Sequence, residues 1–323
     1  MSVSVRVGHS VGMADKKYDV IVVGGGAAGL SGALALARFR RSVLVIDAGE
    51  PRNAPAGHIH NYLGREGTPP GELLAIGRGE VESYGGEIVP GTVTSARKTD
   101  GFQVELADGS AVHGRKLLIT TGLVDELPDV PGVKERFGRD VLHCPYCHGW
   151  EVRDQAIGVL GTNPFGLHQA KLFSQLSADV TYFVHTGPVP DEGEREQLGK
   201  RGITFVDGEV AEIEVRDDRI TGVRLRSGEV VARQAVVVSP RFTARADVFE
   251  SLGLKAVELE MGGHVFGSHI PADASGATSV PGVYVAGNVT DLKAQVISSA
   301  AAGLNAAAMI NNELVEEDVQ NVR

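Results

Sequence analysis

Apolar runs, a glycine-rich turn and helical periodicity follow one another at the start of the chain. Residues 18–23 form a short apolar run typical of a buried strand, and apolar residues recur at helical spacing over 30–38. A second apolar run covers 42–47, and the turn 24–29 lies between the first run and the helix. This order predicts a strand–helix–strand unit with parallel strands.

Alternation of apolar and polar positions marks the next part of the chain. Residues 86–119 alternate in this way, with hairpin turns at 100–101 and 108–109. The apolar run 117–122 ends the segment as a further buried strand. Residues 50–70 are rich in Pro, Gly and Asn and are predicted to form a loop.

The same plan returns in the second half of the chain. A strand pattern over 156–160 leads through the turn 161–166 into a predicted helix over 167–176. An alternating stretch over 203–234 follows, and the run 235–240 closes it. The glycines that begin and end the two turns are offset by 137 residues, so the chain holds two copies of one supersecondary plan.

A last strand and helix complete the pattern. The strand covers 283–287, and an Ala-rich helix is predicted over 295–311. Pro128 and Pro131 break the chain between the two copies, as a crossover between domains would. The predicted fold class is α/β, with two Rossmann-like three-layer domains of which the second is inserted into the first.

The first turn carries a dinucleotide-binding fingerprint. Gly24 makes the turn, Gly26 lets the backbone approach a pyrophosphate, and Gly29 lets helix and strand pack closely. The helix N-terminus offers free N–H groups to phosphates. Asp47 ends the second strand and is placed to accept hydrogen bonds from ribose hydroxyls, a feature that a merely structural glycine turn does not explain.

The second copy is degraded as a nucleotide site. Asn163 stands where the first copy has Gly26, and Pro164 follows. A side chain at this position obstructs the close approach of a pyrophosphate. The stretch 185–190, after the next strand, holds neither an acid for a ribose nor an arginine pair for an NADP phosphate. The alternative, a diverged loop that still binds a nicotinamide dinucleotide, stays open.

Composition and charge limit the partners. Hydrophobic residues make up 42% and charged residues 22%, as in an ordinary globular protein, and the net charge of -10 argues against nucleic acid or an anionic membrane. No apolar run reaches the roughly 18–20 residues that span a bilayer. Residues 1–17 lack the apolar core of a signal peptide, and Met13 is as good a start as Met1. We therefore expect a cytoplasmic protein with a loose extension over 1–17.

Cys144 and Cys147 are the only cysteines, and His143 and His148 flank them. In a reducing compartment such a pair is catalytic or metal-binding more often than structural. The motif matches the one used for covalent haem attachment, but that attachment takes place outside the cytoplasm and so requires an export signal. Zinc needs four convergent ligands, whereas neighbouring residues point apart. We expect a redox pair and no metal site.

The order of these elements resembles the low-molecular-weight thioredoxin reductases over residues 18–312. The resemblance rests on the first glycine turn, Asp47, the pair Thr121-Gly122, the cysteine pair and Gly287. It implies FAD in the first domain and a homodimer. The residues then expected to contact FAD are Gly24, Gly26, Ala27, Ala28, Gly29, Asp47, Asn61, Thr121, Gly122, Gly287, Asn288, Gln295 and Val296.

The resemblance also divides the chain into domains. Residues 18–123 and 243–323 are expected to form the FAD-binding domain. Residues 124–242 form the central NAD(P)-binding-like domain that carries the cysteine pair.

Three departures point to a branch of this family. Asn288 replaces the family's aspartate after the last strand, the second nucleotide site is degraded, and His148 replaces the acid that usually follows the second cysteine. These features look more like the dithiol oxidases of gliotoxin and holomycin biosynthesis. That resemblance implies a small-molecule dithiol as electron donor and oxygen as acceptor, with peroxide as product. An NADPH-dependent reductase of thioredoxin or another disulfide is the alternative.

The surroundings of the cysteines suggest their chemistry. Pro145 suits a first helical position, so Cys144 is predicted to cap a helix whose first turn holds Cys147. The family resemblance makes Cys144 the sulfur that substrate attacks and Cys147 the one that passes electrons to FAD. His148 is the preferred acid/base and His143 the other possibility, since either could move a proton near neutral pH.

Other side chains allow two interpretations. His58 and His60 could line a substrate path in the loop that the family places near the flavin, or be solvated. Trp150 is expected to pack in the core rather than contact substrate. No stretch identifies the dithiol.

Overall fold

Two sheets with parallel centres, each flanked by helices, organise the computed structural model, which describes residues 16–322. The predicted α/β class with two Rossmann-like units is confirmed. The predicted extension lies outside the described residues except for Lys16 and Lys17, and Met13 lies outside them as well. Lys17 is already the first residue of a strand.

The strands in the first half of the chain are β1 (Lys17–Val23), β2 (Val43–Asp47), β3 (Glu87–Pro90), β4 (Val93–Thr99), β5 (Gly101–Leu106), β6 (Ala111–Ile119), β7 (Leu123–Glu126), β8 (Val141–Leu142) and β9 (Ile157–Leu160). In the second half they are β10 (Val180–Phe183), β11 (Ile203–Val206), β12 (Val210–Arg216), β13 (Arg219–Leu225), β14 (Val230–Val231), β15 (Ala235–Val237), β16 (Arg241–Ala244), β17 (Val257–Met261), β18 (His264–His269) and β19 (Val283–Val285). The strands predicted from the sequence were found close to their predicted positions, whereas the five strands β7, β8, β16, β17 and β18 were not predicted.

The helices differ more from the predictions. They are α1 (Ala27–Arg38), α2 (Pro70–Ser83), α3 (Val133–Arg136), α4 (Pro145–His148), α5 (Phe165–Phe173), α6 (Glu192–Gly199) and α7 (Val296–Asn321). Short 3₁₀ turns cover Trp150–Val152, Asp247–Leu252 and Gly287–Val289. No helix within the described range 16–322 is both long and apolar enough to cross a membrane.

The first sheet has the order β3-β2-β1-β6-β5-β4, and β19 pairs with β6. Strands β1, β2, β3 and β19 run parallel to their neighbours, whereas β4 and β5 form the antiparallel meander predicted over 86–119. Buried apolar residues cover both faces of its centre, as expected for parallel strands between helices. We call this sheet with α1, α2 and α7 the first unit.

The central unit repeats the plan with a five-stranded sheet in the order β11-β10-β9-β15-β8. Its meander, β12-β13-β14, is a separate sheet. Two crossover strands, β7 and β16, connect the units and pair antiparallel, with Asp125 opposite Phe242. The domain boundaries expected at 123/124 and 242/243 fall within these two strands.

The last helix was predicted to end at Asn311 but continues to Asn321. Ion pairs hold the additional turns against β6, because Lys116 contacts both Glu313 and Glu317 and is 7% exposed. Helix α2 was not predicted at all, and α5 is shorter than its predicted 167–176. Sequence periodicity cannot register contacts with a distant strand, so the charged end of α7 was missed.

Candidate active site

One cavity of about 950 Å³ connects the first glycine turn with the cysteine helix α4. Of the residues expected to act on substrate or bind FAD, all but Gly29 and Asn61 line it. The cavity therefore brings together a nucleotide-type turn and, from a distant stretch of the chain, a disulfide with its neighbouring histidine.

Each glycine of the first turn is required for a different structural reason. Gly24 has φ +108°, and a Cβ there would lie 2.5 Å from the carbonyl oxygen of Thr120. A Cβ on Gly29 would lie 1.9 Å from the carbonyl oxygen of Gly24. At Gly26 a Cβ would meet no described atom within 4 Å and would enter the cavity. Gly24 and Gly29 thus serve packing, whereas Gly26 leaves space for a ligand.

Helix α1 begins at Ala27 beside this space. Its N-cap residue, Gly26, has no side chain, and no other side chain among residues 16–322 caps the helix. Ala27 and Ala28 line the cavity. Uncapped N–H groups with the positive end of the helix dipole form a cradle suited to a pyrophosphate.

Asp47 ends β2 at the edge of the same cavity. Its Oδ1 accepts a hydrogen bond from the Gly25 amide at 3.1 Å, and Arg78 on α2 donates to its Oδ2 at 2.5 Å. Arg78 was missed because α2 was not predicted. The carboxylate is held in place, as an acceptor of ribose hydroxyls needs to be.

Three further segments form the far wall. Thr121 donates its hydroxyl to the Arg245 carbonyl at 2.7 Å, and Gly122 has φ +72°. Gly287, with φ +75°, follows β19. Gln295 is the N-cap of α7, where Val296 begins a second uncapped N-terminus as far as the described side chains show. This N-terminus can donate hydrogen bonds to an electronegative edge of a ring system.

Asn288 is largely engaged by the protein itself. Its amide nitrogen donates to the carbonyls of Asp291 and Ala294 at 3.0 and 2.9 Å, and its Oδ1 accepts from Arg52 at 3.2 Å. Both N–H groups of the Asn288 side chain thus have partners within the protein, and one acceptor position of its Oδ1 remains for a ligand.

Arg52 joins the first unit to both crossover strands, and sequence reasoning missed it. It forms a bidentate pair with Asp125 at 2.7 and 2.6 Å, and its guanidinium lies 5.3 Å from the centre of the Phe242 ring. The Asp125 side chain is only 8% exposed. A loop arginine and a strand aspartate 73 residues apart leave no local sequence pattern that could identify such a pair.

The cysteine helix has the predicted capping. Pro145 begins α4 and Cys144 is its N-cap. The two sulfurs form a disulfide, and the Cys147 amide donates to the Cys144 Sγ at 3.1 Å. This N–H can stabilise negative charge on the Cys144 sulfur when the disulfide is opened.

The two flanking histidines differ in environment. Burial, chiefly, and the nearby Arg52 cation lower the pKa of His143 to about 4. Its ring contacts Phe137 and Phe242 at centroid distances of 5.8 and 5.7 Å. Burial also lowers the pKa of His148, whose Nε2 is buried and has no hydrogen-bond partner among residues 16–322. His148 is therefore neutral near pH 7 and has a nitrogen available for a proton.

The loop residues His60 and Asn61 lie against the cysteine segment. The Asn61 side-chain amide donates to the Tyr146 carbonyl at 2.6 Å. The Nε2 of His60 lies 3.3 Å from a carboxylate oxygen of Glu151. The expected contact of Asn61 with FAD stays a prediction, since its amide points to the cysteine helix.

Trp150 was expected in the core, and this is wrong. It is 65% exposed, and Arg153 stacks on its ring at 4.1 Å. The 3₁₀ turn that follows α4 carries it outward, and the amphipathic indole tolerates water there.

Side chains of this chain occupy part of the second glycine turn, which borders a separate cavity of about 730 Å³. The Asn163 Oδ1 accepts from the Phe165 amide at 3.0 Å, and its Nδ2 donates to the Ser239 carbonyl at 2.8 Å. A Cβ on Gly161 would lie 2.4 Å from the Tyr182 hydroxyl, which shows how closely that ring fills the turn. Asn163 uses an N–H at the start of α5 that a pyrophosphate would need.

Over residues 16–322 no three side chains of His, Cys, Asp or Glu converge as a metal site requires.

Comparisons with known proteins agree with this geometry. The pyridine nucleotide-disulphide oxidoreductase family model matches residues 18–307. Thioredoxin reductase tcpT of Claviceps purpurea is 30% identical over 318 residues, which are 93% of this chain and 95% of that protein.

Two solved structures are also similar. The crystal structure of HlmI is 44% identical, with a TM-score of 0.86 and 94% of each chain covered. An oxidoreductase from Agrobacterium tumefaciens is 34% identical, also with a TM-score of 0.86, over 93% of this chain and 99% of that one.

Proposed function

This chain belongs to the pyridine nucleotide-disulphide oxidoreductase family, as a flavin-dependent thiol-disulfide oxidoreductase of the thioredoxin reductase group, and we propose that it is a dithiol oxidase. It would bind FAD and convert a small-molecule dithiol to its disulfide. Oxygen would accept the electrons and leave as peroxide.

One observation carries this proposal. The first nucleotide turn opens into the cavity that the disulfide borders, whereas at the second turn the Asn163 side chain already accepts the hydrogen bond of the Phe165 amide. A nicotinamide donor would bind at the second turn. The arrangement supports electrons that enter through the cysteines rather than from NADPH.

The residues around the first turn fit FAD. The free N–H groups of α1 would hold its pyrophosphate, Asp47 its ribose, and the N-terminus of α7 at Gln295 and Val296 an edge of its ring system. FAD, when bound, supplies a two-electron acceptor that oxygen can reoxidise.

The protein's part of the reaction begins at Cys144. A substrate thiolate attacks its Sγ, the disulfide bond breaks, and Cys147 leaves as a thiolate. The second substrate thiolate then attacks the sulfur of the first. This step forms the substrate disulfide and releases Cys144 as a thiolate that the Cys147 amide stabilises. Substrate loses two electrons and two protons, and the cysteine pair gains the two electrons.

His148 would take the protons as the substrate thiols ionise. Its Nε2 is buried, lacks a partner among the described residues and belongs to a side chain in the cavity wall. Because its pKa is lowered by burial, it is neutral and ready to act as a base at neutral pH. His143 is also neutral, but aromatic rings enclose it.

An anaerobic mixing experiment tests the function. Dithiothreitol should bleach the yellow flavin, air should restore the colour with one peroxide formed per dithiol, and NADPH should leave the colour unchanged. Rapid stoichiometric bleaching by NADPH would make the chain a thioredoxin or disulfide reductase instead. A protein that takes up no FAD would refute both the oxidase and the reductase assignment.

The variant Cys147→Ser should keep FAD and lose dithiol-dependent bleaching.

We also propose a homodimer. The exposed side of α7 carries an apolar stripe along which Ile297, Leu304, Val315 and Val319 are 39–64% exposed. Spacings of seven, eleven and four residues keep them on one face, opposite the buried residues of the helix. Light scattering after gel filtration should give a dimer, and Leu304→Glu should give a monomer that still binds FAD. A monomeric unsubstituted protein would contradict this proposal.

We propose a cytoplasmic location, which the presence of a single redox cysteine pair supports. The net charge of -10 supports small-molecule rather than nucleic-acid partners.

A further inference from the structure

We propose that His60 and Asn61 are positioning residues that hold the cysteine helix at the cavity from across the boundary between the two units. We call the contacting set His60, Asn61, Glu66, Tyr146 and Glu151 the clasp. The inference rests on the proposed transfer of electrons between the cysteine pair and a flavin.

The loop side of the clasp is closed on itself. The Ile59 backbone amide donates a hydrogen bond to the Thr68 carbonyl at 2.9 Å, and the Gly67 amide donates one to the Ile59 carbonyl at 3.0 Å. Ile59 is 4% exposed and anchors the loop. The backbone amide of Asn61 donates to a carboxylate oxygen of Glu66 at 2.8 Å. These bonds hold the loop in one shape before it meets α4.

Asn61 reaches the helix between its two cysteines. It has φ +60°, a conformation that asparagine tolerates better than most residues. Its side-chain amide donates to the Tyr146 carbonyl at 2.6 Å. In a four-residue helix such carbonyls lack intrahelical partners. The loop follows β2 of the first unit, whereas α4 lies between β8 and β9 of the central unit. This bond therefore fixes the redox pair relative to the first nucleotide turn.

His60 adds two side-chain contacts. Its Nδ1 lies 2.5 Å from Glu66 and its Nε2 3.3 Å from Glu151. The hydrogen bond from His60 accordingly lowers the pKa of Glu66. His60 thus links the closed loop to the residue three positions after His148.

The clasp also sets the charges around His148. After the dominant effect of burial, Glu151 raises the pKa of His148 and His60 lowers it. His143 is the third titratable group that interacts with His148. Removal of Glu151 and removal of His60 should therefore move the His148 pKa in opposite directions.

The expected effect on rate follows from geometry. A displacement of about 1 Å between reacting groups can slow a reaction by about 100-fold. Asn61→Ala and His60→Ala should each slow anaerobic flavin bleaching by dithiothreitol by about tenfold or more, measured by stopped flow on protein saturated with FAD. Arg65→Ala is the matched control. Arg65 lies in the same loop, is exposed, and its side chain makes no hydrogen bond or ion pair with the residues the structure describes.

A double-mutant cycle tests the link through Glu151. If His60 acts through Glu151, then His60→Ala with Glu151→Ala should be no slower than the slower single variant. The isosteric Glu151→Gln should lower the apparent pKa of the rate profile, and His60→Ala should raise it. Additive rate losses together with an unmoved profile would overturn the proposal, as would full bleaching rates in Asn61→Ala and His60→Ala.

Failure of the clasp is distinguishable from failure of the proposed function. If NADPH rather than a dithiol reduces the unsubstituted protein, the oxidase assignment falls. The same variants can then be measured in the opposite transfer, from flavin to cysteines. A loss of rate in that direction would still support the clasp, and its absence would refute it.

Discussion

A pair of glycine substitutions separates packing from ligand binding at the first turn. In Gly26→Ala the new methyl enters the cavity and meets no described atom within 4 Å. The backbone there, φ -79° and ψ -173°, suits any residue. We expect the FAD-free protein to keep its free energy of unfolding within about 0.5 kcal/mol. The entropy gain of Gly→Ala, about 0.4–1 kcal/mol, opposes the similar cost of Ala at an N-cap.

The same substitution should weaken FAD binding. The methyl holds the pyrophosphate away from the amides of α1, and a hydrogen bond to a charged group contributes about 1.5–3 kcal/mol. The loss of one such bond corresponds to an affinity about 10–150-fold lower, at 1.4 kcal/mol per factor of ten. Flavin fluorescence during titration of the FAD-free protein measures the affinity.

Gly29→Ala is the contrasting variant. Its Cβ would lie 1.9 Å from the Gly24 carbonyl oxygen, so the turn must move. We expect a loss of about 1–3 kcal/mol in the urea unfolding of the FAD-free protein, as for other overpacked sites. Unchanged FAD affinity in Gly26→Ala would refute the assignment of the pyrophosphate to this turn.

Three further substitutions test separate parts of the structure. Asn163→Ala removes the acceptor of the Phe165 amide and should cost about 1 kcal/mol in urea unfolding, and a variant as stable as the parent would show that this hydrogen bond contributes nothing. Arg52→Ala leaves the buried Asp125 carboxylate unpaired and should cost about 3–5 kcal/mol, whereas the double variant with Asp125→Ala should recover part of the loss, and no recovery would contradict the pairing argument. Since the pKa of His143 is about 4 when folded and near 6.5 when unfolded, the unfolded state binds more protons between these values, so stability should fall by up to about 3 kcal/mol as the pH drops from 6.5 to 4. His143→Phe should remove this part of the acid sensitivity in urea unfolding measured across that range, and an unchanged pH dependence would contradict it.

The fingerprint could be predicted from the sequence because its constraints are local. Gly24 and Gly29 avoid contacts with residues that neighbour them along the chain or on the adjoining strand, and that requirement always selects glycine. The Cys144 cap was predictable for the same reason, since Pro145 fixes the start of α4. The degraded second turn followed from Asn163 alone.

Contacts between distant segments could not be predicted. Asn61 and Tyr146 are separated by 85 residues, and Arg52 and Asp125 by 73. Each residue alone is an ordinary polar loop or strand residue, and only the folded chain brings it to its partner. The end of α7 was missed for the same physical reason, because Lys116 on β6 provides its charge partner.

The position of β19 has a consequence for synthesis on the ribosome. Strand β6 ends at Ile119, and one of its two parallel neighbours, β19, begins only at Val283, so the first sheet cannot be completed until most of the chain has been synthesised. Until then the edge formed by Leu117, Leu118 and Ile119 has no partner on that side, although all three are fully buried in the finished protein. The central unit has its five strands complete by residue 237 and can fold earlier. A nascent chain would therefore expose an aggregation-prone strand edge late in translation, and chaperone dependence should be concentrated there.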